Sequence, residues 1–359
     1  VDPSCCMTKI SRSPTRWTRC RTSARYASCT TRRRSGTGPG ACDSTTAHQA
    51  ALAKAGAFCS VRVRHWRPTV SAAVAQPCTW RVASSWPAGG HLIWSRADSL
   101  AVTLSVMSDS KHVVLIHGMG GRGDYLAPAR AAFEERGYTV HTPTLRHHEL
   151  PLEEGATKIA SLSLRDYTDD LVKLVDSLDS APLLVGHSMG GLLAQLVAAR
   201  TRHAGVVAAC PSPAAGIYAT SPTLLRIGLG HFLQPRPWAK PFYPPTWEQV
   251  RKSIANAQTE EYARELFTEV VCESGRALCE ISFPRLDRAK AATVDFTAIT
   301  TPVLVIAGEC DRLLPARIPR LTAARYQNGT YVEIPRSDHM VFSGEALPIT
   351  MGYIDDWIA

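Results

Sequence analysis

The feature that most constrains this chain is Leu183-Leu184-Val185-Gly186-His187-Ser188-Met189-Gly190-Gly191, an apolar run that ends in Gly-x-Ser-x-Gly and continues into Leu192-Leu193-Ala194-Gln195-Leu196-Val197. The pattern predicts a buried strand, a sharp turn and a helix. A serine at such a turn takes a strained backbone conformation, and glycines at 186 and 190 remove side chains that would collide there. The turn presents the hydroxyl at the helix N-terminus, where the helix dipole and the amide of Met189 favour negative charge. Gly-x-Ser-x-Gly alone recurs by chance as an ordinary tight turn. Its setting between strand and helix makes Ser188 a candidate nucleophile.

Charge divides the 359 residues into two unlike parts. Residues 1–106 hold 15 Lys and Arg against three Asp and no Glu, whereas the rest hold 25 basic and 28 acidic side chains, so the formal net charge of +9 belongs to the N-terminal third. Seven of the 11 cysteines lie there too. No C-x-x-C pair or zinc spacing occurs, and an odd total argues against a complete disulfide framework. No apolar run reaches the length of a membrane span, so the expectation is a soluble protein without stable membrane insertion.

Residues 1–106 show no sustained helical or strand period. A basic nucleic-acid arm, suggested by Arg32-Arg33-Arg34, lacks the interleaved aromatics of a stacking surface. A targeting peptide would need an amphipathic or uninterrupted apolar segment after the basic residues. A disordered tail fits poorly with seven cysteines and five tryptophans. The preferred expectation is an upstream extension, with the working protein starting at Met107 and, since no secretory signal follows, residing in the cytoplasm. Leu100, Val102, Leu104 and Val106 alternate as an edge strand would, which opposes that view.

From His112 the patterning is regular. Val113-Val114-Leu115-Ile116 reads as a strand covered on both faces, followed by His117-Gly118-Met119-Gly120-Gly121-Arg122-Gly123. Helices are predicted at about 125–136 and 166–178, and further strands at 138–142, from Leu183 into the elbow, and at 205–209, 302–307 and 330–334. Alternating strands and helices imply a mostly parallel sheet with helices on both faces. Between about 211 and 300 the alternation lapses, predicting a helical cap insertion. Thr246-Trp247-Glu248-Gln249 fits a capping box opening a helix to about Ala257, and a second helix is expected over 260–271. Leu224, Leu225, Ile227, Leu229, Phe232, Leu233, Trp238, Phe242, Tyr243 and Trp247 are candidates to line an acyl pocket or to pack the cap on the sheet.

A serine hydroxyl is a poor nucleophile at neutral pH and needs a base and an acid that orients it. The strand at 302–307 runs out into Gly308-Glu309-Cys310-Asp311, and the last strand into Ser337-Asp338-His339-Met340. Asp311 and His339 are therefore the candidate acid and base, with Glu309 and Asp338 as competing acids.

The order Ser188, Asp311, His339, after the His117-Gly118 turn, resembles the α/β-hydrolase superfamily over about residues 111–359. Gly-His-Ser-Met-Gly-Gly is similar to the elbows of monoacylglycerol lipases, lysophospholipases and carboxylesterases. The resemblance implies an oxyanion hole from the amides of Met119 and Met189, with His117, Gly118, Gly186, His187 and Gly190 supporting the elbow and the oxyanion turn. It further implies two-step acyl transfer from a small-molecule ester. The apolar cap favours a substrate with a hydrophobic acyl or aromatic part, and no cofactor and no metal are expected. Serine at 188 argues against the haloalkane dehalogenase and epoxide hydrolase branches, which use aspartate there.

Rivals share the triad or the fold: a thioesterase, a carbon–carbon bond hydrolase, a cofactor-free perhydrolase, or a non-catalytic binding protein. Gly118 to Gly123 also spells G-x-G-x-x-G, but the acidic residue a dinucleotide site wants at the end of the next strand is replaced by His141-Thr142-Pro143-Thr144. His147-His148-Glu149 lacks a spaced third metal ligand and is expected to be solvated surface. The mildly acidic 107–359 region offers no basic patch for nucleic acid, and nothing in the sequence sets an oligomeric state.

Overall fold

The computed structural model describes residues 110–217 and 221–359. The readings made for residues 1–106, the alternating segment before Met107 and the proposed start itself lie outside the described residues.

Six parallel strands form the central sheet in the order β2-β1-β3-β4-β7-β8: β1 His112–Ile116, β2 Thr139–His141, β3 Leu183–His187, β4 Gly205–Ala209, β7 Val303–Gly308 and β8 Gly329–Ile334. All residues of β3, β4 and β7 are buried, as uninterrupted apolar runs require in a sheet covered twice. Period-two alternation sorts the side chains. Val114, Ile116, Leu184, Val206 and Val305 pack on helices Leu164–Asp176 and Met189–Ala198. Leu115, Val185, Val207, Leu304 and Ile306 face helices Ala127–Glu135 and Ala346–Ile358 on the other side. Helices on both faces of a parallel sheet agree with the sequence expectation.

The direction of winding reverses between β1 and β3, and open α/β sheets bind ligands outside the strand carboxyl ends at such a point. Register brings Ile116 opposite Gly186 and His187 opposite Ala209, so the chain exits of β1, β3 and β4 lie side by side.

Between β4 and β7 the chain forms helices Pro222–Phe232, Glu260–Glu269 and Gly275–Ser282, and a small antiparallel pair, β5 Pro241–Phe242 with β6 Glu273–Ser274. The capping box at Thr246 forms as expected, with reciprocal bonds between Thr246 and Gln249. The helix does not run to Ala257, however. After Trp247–Gln249 it widens into a π-helical turn, Val250–Ile254, and ends, because Asp338 accepts the Ala257 amide at 2.6 Å and draws the chain away. Among the described residues no helix is long and apolar enough to cross a membrane.

Candidate active site

Ser188 leaves β3 with φ 57° and ψ −119° and directly precedes helix Met189–Ala198, a conformation that costs about 1–3 kcal/mol. The surroundings enforce it. The Ser188 amide donates to the Ala209 carbonyl at 2.9 Å, and the Ser188 carbonyl accepts from Ser212 at 3.0 Å. A Cβ on Gly186 would stand 2.1 Å from the Gly190 carbonyl oxygen, and one on Gly190 2.2 Å from that of Ile116. Met189 is fully buried as the first residue of the helix.

The turn after β1 lies against the serine, so close that a Cβ on Gly118 would come 2.9 Å from that of Ser188. His117 braces this turn. Its Nδ1–H donates to the Gly118 carbonyl at 2.8 Å and its Nε2 accepts the Leu145 amide at 3.0 Å, so the ring is neutral. Burial, reinforced by repulsion from His148, lowers its pKa to about 3. His187 is likewise held at about 3, first by burial and then by His339. Its Nε2–H donates to the His339 carbonyl at 2.8 Å, which ties the end of β3 to the loop carrying the candidate base.

Of the three acids near that loop, Asp311 is the one whose carboxylate meets His339, with Nδ1 to Oδ2 at 2.7 Å. Its other oxygen accepts the amides of Leu313 and Leu314, each at 2.8 Å, which aims Oδ2 at the imidazole. A carboxylate only accepts, so Nδ1 carries the proton and Nε2 is left as the basic nitrogen. Asp338 instead binds the amides of Ala257 and Met340 and the Gln258 side chain. Glu309 accepts the Arg336 amide on the exposed side.

Ser188, His339 and Met119 line one cleft. Its wall is apolar, with Leu126, Val250, Ile254, Leu266 and Val270 among the contributors. Of the ten side chains that were candidates either to line an acyl pocket or to pack the cap, Leu224, Ile227, Phe242 and Tyr243 line the cleft. Leu225, Leu229, Leu233 and Trp238 are exposed, Phe232 packs on Phe283, and Trp247 sits between Phe267 and Arg264.

Two features were not foreseen. Cys210, at the end of β4, is buried with φ 44°, and its sulfur, an Asp311 oxygen and a His339 ring nitrogen lie within 4.8 Å of one another. Burial and the Asp311 charge push its thiol pKa well up. The only sequence signal was its place at a strand end on the same sheet edge. The second is a correction: His148 is not solvated surface but 1% exposed, because His147 with φ 68° turns the chain inward. Its Nε2–H donates to Glu273 of β6 at 3.0 Å, and that carboxylate is itself 1% exposed. Burial alone would lower the His148 pKa, but the Glu273 charge and the hydrogen bonds outweigh it and raise it. The glycines of the G-x-G-x-x-G string face protein: Cβ positions at Gly118, Gly120 and Gly123 would meet Ser188, Val271 and Thr142.

No curated protein matches the chain. Solved structures do. A monoacylglycerol lipase of Paleococcus ferrophilus shares 19% identity at a TM-score of 0.52, over 69% of this chain and 93% of that one. A pyrethroid hydrolase of Sphingobium faniae shares 20% at 0.52, over 69% and 97%. An Arabidopsis methylesterase shares 16% at 0.50, over 68% and 98%. At these identities the likeness speaks for the fold. The model of the alpha/beta hydrolase family matches residues 113–346, and the chain belongs to that family.

Proposed function

We propose that this protein is a serine hydrolase that cleaves carboxylic esters with a hydrophobic acyl or aromatic part, using Ser188, His339 and Asp311 as a catalytic triad. The observation that carries the reading is the convergence at one apolar cleft of three things. These are a serine held in a strained elbow at a helix N-terminus, a histidine whose Nδ1 is locked to a buried carboxylate, and the β1 turn beside them. His339 Nε2 takes the Ser188 proton as the oxygen attacks the ester carbonyl, then returns it to the departing alcohol. Water repeats the sequence to release the acid. The amides of Met119 and Met189 face the developing oxyanion, where preorganised donors lower the barrier most. The segment between β4 and β7 acts as a cap, supplying Leu224, Ile227, Phe242 and Tyr243 to hold the acyl chain.

The test is hydrolysis of p-nitrophenyl esters from acetate to palmitate by the full chain beside Ser188→Ala. The expected result is turnover that depends on Ser188 and peaks at an acyl length the apolar cleft can bury. Equal turnover by the variant, or none on any ester, refutes the reading.

A further inference from the structure

Beneath the β1 turn lies a charged network that the triad chemistry does not use. Glu273 Oε2 accepts the Gly120 amide at 3.1 Å and His148 Nε2–H at 3.0 Å, while Oε1 accepts Tyr167 O–H at 2.8 Å and the Ser274 amide at 2.6 Å. Four donors fill the four acceptor sites of an ionised carboxylate. His148 is equally determined. Its Nδ1 faces the Leu145 and Arg146 carbonyls at 3.2 and 3.3 Å and its Nε2 faces Glu273, so both ring nitrogens meet only acceptors and both carry protons. The pair is therefore an imidazolium and a carboxylate, almost fully buried.

Buried ion pairs are weak contributors to stability, since desolvation offsets their attraction, and their best-attested use is to fix a register. The register here is that of the oxyanion turn. Gly120 is clamped twice from one short stretch: its amide by Glu273, and its carbonyl by the Val271 amide at 2.9 Å. The Gly120 amide belongs to the same peptide plane as the Met119 carbonyl, so holding it holds the backbone angle through which the Met119 amide is aimed. Gly120 has φ 65°, and a Cβ there would stand 2.8 Å from the Val271 oxygen, so the clamp leaves no slack. A bare carboxylate so near would repel a developing oxyanion; the His148 charge cancels it at the turn.

We infer that Glu273, with His148 as its counter-ion, is a positioning residue that holds the Gly118–Met119–Gly120 turn in its oxyanion-binding geometry from the segment between β4 and β7. Oxyanion stabilisation is thereby coupled to the seating of that segment. The inference rests on the ester-hydrolase reading above and adds to it a residue outside the triad.

The experiment compares the full chain with Glu273→Gln, Tyr167→Phe and Ser188→Ala, on one p-nitrophenyl ester and on a trifluoromethyl ketone of the same acyl chain, with thermal midpoints recorded. Loss of one oxyanion donor costs about 10²–10³ in kcat, which bounds the effect of misaiming it. Glu273→Gln is expected to lower kcat by about 10–100-fold with KM nearly constant, and to raise the ketone inhibition constant by the same factor. Tyr167→Phe, which removes one bond to Glu273 and leaves the charge pair, is expected to shift both in the same direction by less, and it serves if Glu273→Gln does not fold. Unchanged kcat and ketone inhibition in folded variants overturn the inference alone. So does a loss that appears in KM and thermal midpoint but not in kcat. Absence of Ser188-dependent turnover in the parent chain overturns the hydrolase reading and this inference with it.

Discussion

A single methyl group at Gly190 separates two accounts of the elbow. If the elbow is held only by its own turn, Gly190→Ala costs little, since alanine is the better helix former. The structure demands otherwise. The added Cβ would stand 2.2 Å from the Ile116 carbonyl oxygen and 2.5 Å from that of His117, both backbone atoms that cannot swing aside. Ordinary contact begins near 3.4 Å, so β1 and the elbow helix must part by more than an ångström. Overpacking of this kind costs about 1–3 kcal/mol, which lowers Tm by roughly 2–12 °C in a domain of this size. Activity suffers more than stability, because the movement falls between Ser188 and the turn opposite it. A misplacement of about 1 Å at reacting groups costs about a hundredfold in rate. The control is Gly352→Ala, in helix Ala346–Ile358, where nothing lies within 4 Å of the added carbon. There the same substitution is expected to leave activity unchanged and to stabilise by up to about 1 kcal/mol. The assay is kcat/KM on a p-nitrophenyl ester with calorimetric Tm for both variants. A Gly190→Ala protein indistinguishable from its parent in both readouts refutes the reasoning.

On the proposed triad, Asp311→Asn is expected to lower kcat by about 10⁴-fold, because an amide would leave His339 in the wrong tautomer. Asp338→Asn instead costs about 1–3 kcal/mol of stability with a far smaller effect on kcat, since its carboxylate serves backbone amides; equal kinetic effects would contradict the assignment of the acid. His117 and His187, each at about 3 in the folded chain against 6.5 unfolded, bind fewer protons folded than unfolded. Stability falls as pH drops below 6.5 and continues to fall towards 3, by about 2 kcal/mol per histidine at pH 5. Urea unfolding at pH 7 and pH 5 measures the drop, and His187→Asn is expected to make it shallower; an unchanged slope counts against burial of a neutral ring. In timed alkylation followed by peptide mass spectrometry, exposed Cys310 reacts in the native protein, whereas Cys210, buried and with its thiol pKa raised, reacts on unfolding. Early labelling of Cys210 would mean that the site opens.

The sheet was readable because strands covered on both faces must be apolar throughout, and Val113 to Ile116, Leu183 to Val185 and Val303 to Ala307 have no other plausible use. Ser188, Asp311 and His339 could be picked out as candidates because parallel strands deliver their carboxyl ends to one edge, so candidates need only be sought just after a strand. The His148–Glu273 pair has no such shadow. Its partners are 125 residues apart, and the His147-His148-Glu149 run reads locally as solvated surface. Only the inward turn at His147 and the pairing of β5 with β6 bring them together. The π turn at Val250–Ile254 was hidden for a related reason: the capping box at Thr246 is a local signal, whereas the end of the helix is set by Asp338, far along the chain. On helix Pro222–Phe232 the sequence supplied leucines all round, and their sorting between the cleft and solvent depends on the position of the neighbouring elements.

The most direct test of the account is to treat the full chain with a fluorophosphonate at one equivalent, follow ester turnover, and map the adduct by mass spectrometry. The account predicts a single adduct on the peptide containing Ser188, with turnover lost in proportion to labelling and no adduct on Ser188→Ala. An adduct elsewhere, or full turnover with Ser188 modified, would contradict it.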